Sequence, residues 1–166
     1  MKTSSDKMPT EAAYGAQQIA RYFIYLANRE SKPITNKKLQ KLLYYSQAWA
    51  VAGLNKKLFN DKIEAWIHGP AIRDVYLEYK DFGANPINTP VNEQDISLIQ
   101  PEDKKLLDEV WSVYGKFDAA YLEQLTHSEM PWQEARQGLE ANTSSENEIK
   151  LDSMKSYYSA KFAKGV

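Results

Sequence analysis

Few residues in this chain have the chemistry for catalysis or metal binding. Of its 166 residues two are His, His68 and His127, and none is Cys. Disulfides, thiolate-bound zinc, iron–sulfur clusters and Cys nucleophiles are therefore excluded. A zinc site would need both His plus carboxylates. Glu64 and His68 lie four apart, which in an extended segment is about 13 Å along one face. His127 and Glu129 show no ligand spacing either. The expectation is no metal and no cofactor. There is no G-x-S-x-G elbow for a nucleophilic Ser, and the scattered Gly residues make no phosphate loop. No catalytic residue is assigned, and the chain reads as a non-enzyme.

A basic cluster comes next. Lys37, Lys38 and Lys41 follow Pro33-Ile34-Thr35-Asn36, at the N-terminal end of a helix, where helix-turn-helix readers meet the major groove. Nucleic acid is nevertheless disfavoured. Arg is scarce, and 21 Lys+Arg against 22 Asp+Glu leaves a formal net charge of -1. A solvated basic turn is the simpler reading. Aromatic residues are abundant, with 11 Tyr, 4 Trp and 5 Phe. Trp49, Tyr76, Trp111 and Tyr114 fall on inward stripes. Tyr22, Tyr25, Tyr44, Tyr45, Trp66, Tyr157 and Tyr158 are hard to bury together, and such residues dominate partner surfaces.

The elements that hold these residues are mostly helical. Hydrophobic content of 43% and charged content of 26% are those of a globular chain. At this length, folding buries roughly 70% of the extended chain's surface. Apolar spacing predicts helices over about 12–29, from a cap at Thr35, with Asn36 the competing choice, to Gly53, from Pro70 to Gly83, from Pro101 to Phe117, after Asp118, after Pro131 and after Asp152. Ile63, Ala65 and Ile67 alternate with Glu64, Trp66 and His68, which predicts a short strand; Ile149–Leu151 is a second candidate. Residues 84–99 read as a long surface loop. The expected fold is mainly α, a bundle of about six or seven helices with one or two extended segments forming a small β-hairpin. Residues 1–11 read as a flexible tail and 12–164 as a single domain. No stretch is apolar enough to span a membrane, the N-terminus is unlike a signal peptide, and a cytoplasmic location is expected.

One ordered set of residues is specific. Leu39-Gln40-Lys41-Leu42-Leu43-Tyr44-Tyr45-Ser46-Gln47-Ala48-Trp49 is followed by Leu58-Phe59, then Ile63-Glu64-Ala65-Trp66-Ile67-His68-Gly69-Pro70, then Val75-Tyr76. Leu125-Thr126-His127 and Pro131-Trp132 come later. Over about 13–163 this resembles the Panacea domain, the SocA-like, phage-associated antitoxin family. The resemblance implies an antitoxin of a bacterial or phage toxin–antitoxin system, which neutralises a cognate protein toxin by direct contact. Family members that act as proteolytic adaptors imply an alternative, delivery of the toxin to a protease; a DNA-binding regulator is the other. Physically, most of the motif reads as scaffold. Gly69-Pro70 makes a sharp turn, Trp49 and Trp66 brace helices, and Gln40, Gln47 and Glu64 satisfy buried backbone groups. The candidates for partner contact are Tyr44, Tyr45, His68, Tyr157 and Tyr158.

Overall fold

The helix that carries most of the motif runs through the middle of the molecule. In the computed structural model, which describes residues 8–9 and 11–165, this helix is Asn36–Gly53. It follows α1 (Ala16–Glu30) and is labelled α2. Its cap is the expected one, with the Thr35 side chain accepting from the Lys38 N–H. Leu39, Leu42, Leu43, Tyr44, Tyr45, Ala48, Ala50 and Val51 are all fully buried. Polar side chains of the same helix, Lys38, Gln40, Lys41, Ser46 and Gln47, are buried with them, so nearly every side of the helix faces the interior. α2 packs against α1, α5 (Pro101–Tyr114), α6 (Ala119–His127) and α8 (Leu151–Ala163).

After α2 the chain runs extended past Phe59 into a hairpin, β1 (Glu64–Trp66) and β2 (Gly69–Ala71). The strands are antiparallel, with Glu64 opposite Ala71 and Trp66 opposite Gly69. Gly69, at φ 109°, closes the turn in a conformation that disfavours side chains. This corrects the expected helix start at Pro70. Pro70 pairs with Ala65 in the strand, and α3 begins three residues later, as Arg73–Tyr79. The other edge of β1 is covered by residues 147–149, where the Ala65 N–H donates to the Asn147 carbonyl and the Ile149 N–H to the Ile63 carbonyl. The second extended candidate, Ile149–Leu151, is therefore not a strand: the one bridged residue is Glu148, opposite Glu64, and Leu151 already opens the last helix.

Residues 84–99 are more ordered than the expected loop. The Ile87 N–H donates to the Ile34 carbonyl. A short helix, α4 (Glu93–Ser97), is capped by Asn92 and packs on α1. With α7 (Met130–Ala135) there are eight α-helices and one two-stranded hairpin among the described residues, a mainly helical fold. α1 starts at residue 16, not 12, because Tyr14 is held in a bridge to Phe59. Two expected inward residues face out, Tyr76 and Val113. The proposed tail, 1–11, lies largely outside the described residues; Met8 packs half-buried against the core.

Candidate functional site

The hairpin, the N-terminal half of α2 and α3 enclose an open cleft of about 750 Å³. Residues 144–146 close one side. Seven of the motif residues line it: Gln40, Lys41, Trp66, Ile67, His68, Gly69 and Tyr76. The Trp66 and Tyr76 rings meet edge to face at 5.0 Å, and Arg73 lies over Trp66 at 5.3 Å. The result is an aromatic wall, half-buried at Trp66 and open at Tyr76.

The polar groups around the wall are mostly paired. Lys37 forms an ion pair with Glu123. His68 Nδ1 lies 3.1 Å from the same carboxylate, with 70% of its side chain exposed. Burial raises the Glu123 pKa, but the hydrogen bonds from Lys37 and His68 outweigh it and hold the carboxyl below its usual range. Arg73 Nη2 bridges Glu64 and Glu146 at 2.9 Å each. Gln40 and Asn36 lock each other, and Gln40 Oε1 accepts the Ile72 N–H at 2.8 Å, where the chain leaves β2 for α3.

Lys41 is different. It is buried, at 2% exposure. Its ammonium donates to the Pro70 carbonyl at 3.2 Å and has no ion pair among the described residues. Desolvation pushes its pKa down to about 7. Gly69 makes room for it, since a Cβ there would sit 2.6 Å from Lys41 Cε. Lys38 is also buried; it donates to the Gly115 carbonyl at 2.5 Å, and burial lowers its pKa. The basic cluster expected at this helix end is therefore not a surface patch. Two of its three lysines point into the protein.

The structure divides the remaining candidates. Leu39 is core. Gln47 bridges the strand approach to α2, accepting from the Leu58 N–H at 2.7 Å and donating to the Phe59 carbonyl at 2.8 Å. Glu64 takes side-chain donors instead, Trp66 Nε1 and Arg73. It is not opposite His68, because the turn intervenes. Trp49 packs edge-on to Tyr114 and Phe162. Tyr44, Tyr45 and Tyr158 were expected at a partner surface; all three have zero exposure, so that expectation is corrected. Their hydroxyls converge on one buried carboxylate, Glu129, at 3.0, 3.2 and 2.8 Å. Burial raises the Glu129 carboxyl to about 7 against the pull of Tyr158, Tyr44 and Tyr45. Tyr157 is half-buried on α8, away from the cleft. Of the candidates for partner contact, only His68 lines it.

A protein-family model, antitoxin SocA-like, Panacea domain, matches residues 39–133, more than half of the chain. The chain belongs to this family. No curated protein and no solved structure matches it. The match in this Panacea domain runs from α2 through the hairpin to the start of α7, and so includes most of the cleft and the Glu129 cluster. Glu129, Glu123 and Arg136 were not legible as functional residues in the sequence. Arg136 is buried and donates to the carbonyls of Ala65, Glu140 and Thr143, which fixes the segment beside β1. Nothing local marks a carboxylate as buried. Among the described residues no group of three or more potential ligands could hold a metal, and no helix is long and apolar enough to cross a membrane.

Proposed function

We propose that this Panacea domain neutralises a cognate protein toxin by direct contact, and that the cleft between α2, the hairpin and α3 is the contact face of one domain spanning 12–164. The observation that carries this reading is the clustering of seven motif residues around one accessible cleft. The rest of the motif lies in the frame beneath. A wall of Trp66 and Tyr76 with charged side chains at its rim has the composition of a binding hot spot. The burial of Lys38 and Lys41 counts against a DNA-binding role.

Co-expression with the protein encoded by the adjacent reading frame tests the proposal. The expected outcome is restored growth and a complex that survives size exclusion. Continued toxicity without a complex rejects it. The toxin's half-life, measured with and without the host proteases, separates occlusion from delivery to a protease: occlusion leaves the half-life unchanged or longer.

A further inference from the structure

Among the described residues, Lys41 is the one cation lining the cleft with no carboxylate of its own. Lys37 has Glu123, and Arg73 has Glu64 and Glu146. Glu123, which acts on Lys41 through space, is already engaged by Lys37 and His68. A single carbonyl contact leaves most of the ammonium's three donors unused. The protein keeps the space for this group open, with Gly69 where any side chain would strike Lys41. A buried, unpaired charge on the wall of a cavity is costly unless something arrives to pair with it.

We propose that Lys41 forms a monoanion subsite that takes a carboxylate from the partner, presented beside an apolar or aromatic group that packs on Trp66 and Tyr76. The charge balance selects the ligand. One unneutralised ammonium among paired carboxylates suits a single negative charge, and a phosphate dianion would meet Glu146 and Glu123 with too few cations to hold it. The aromatic wall selects what accompanies the carboxylate. This rests on reading the cleft as the partner face, and it names the chemistry the toxin segment must carry.

The test uses the full chain with labelled lysine, titrated with N-acetylphenylalanine and separately with its amide, which has the same ring and no charge. The Lys41 Cε signal, assigned by its loss in Lys41→Met, and the Trp66 indole signal report binding. The acid is expected to shift both signals. The amide, and the acid added to Lys41→Met, are expected to bind at least about tenfold more weakly, the usual weight of one charge-assisted hydrogen bond. Circular dichroism checks that the variant is folded. Equal binding of acid and amide, no loss in Lys41→Met, or no binding at high millimolar concentration overturns the subsite. If the acid binds as expected while the chain fails to silence a toxin, the antitoxin reading falls and the subsite stands.

Discussion

A lysine ammonium with only one carbonyl partner lowers the stability of the protein that buries it. Lys41 has this arrangement, and its pKa falls from the usual 10.5 to about 7 through desolvation. The folded state therefore disfavours the charged form. The penalty is full below about pH 7, shrinks as pH rises and vanishes above the unfolded value of 10.5. Lys41→Met keeps an unbranched side chain, one atom shorter, and removes the charge. It is expected to stabilise the fold by about 3 kcal/mol at pH 6, with the gain narrowing steadily toward pH 10. Urea unfolding of both proteins across that range measures it. A variant no more stable than the parent at pH 6 would show that the ammonium is well solvated where it lies.

At the scale of elements, side chains from α2 replace the hydrogen bonds that irregular backbone cannot make with itself. Gln47 holds the Leu58 N–H and the Phe59 carbonyl; Gln40 holds the Ile72 N–H. Both are buried. Gln47→Ala strands a buried donor and a buried acceptor, and is expected to cost about 2–4 kcal/mol, read as a lower urea midpoint at unchanged slope. A loss below about 1 kcal/mol would mean water replaces the amide. These two glutamines were legible in the sequence, as were the helix starts at Thr35, Pro101 and Asp118, because caps and breaks are set within a few residues. What the sequence hid was decided at a distance. Whether Pro70 opens a helix or pairs in a strand depends on the φ of Gly69 and on Gln40 from another element. The short α4 exists because Ile96 and Ile99 find the core. Tyr44 reads as a surplus aromatic until Glu129, 85 residues on, supplies its buried partner. The motif was legible as an ordered set, but Arg73 and residues 144–146, which complete the cleft, were not.

On the proposed reading, the whole molecule separates a frame from a face. Glu129, just before α7, gathers hydroxyls from α2 and α8, and Tyr45 stacks on Tyr114 of α5 at 3.8 Å, so one buried cluster joins three helices and the link into α7. The cleft lies on the far part of α2 with the hairpin and α3, and Tyr76 shows 37% of its surface there. If binding uses the face and only rests on the frame, damage to each should leave a different trace. Glu129→Ala leaves three buried hydroxyls without their acceptor, and is expected to cost about 3–5 kcal/mol, a drop in Tm on the order of 10 °C for a chain of this size. Any protein that stays folded should still bind toxin with unchanged affinity, so neutralisation falls only in step with the folded fraction. Tyr76→Ala removes half of the aromatic wall and leaves the buried core beneath it intact. Its Tm should stay within about 3 °C of the parent while toxin affinity weakens at least about tenfold. Thermal unfolding and titration of each variant with toxin give both numbers. Should Tyr76→Ala bind as tightly as the parent, the cleft is not the contact face, and the binding surface must be sought elsewhere on the bundle.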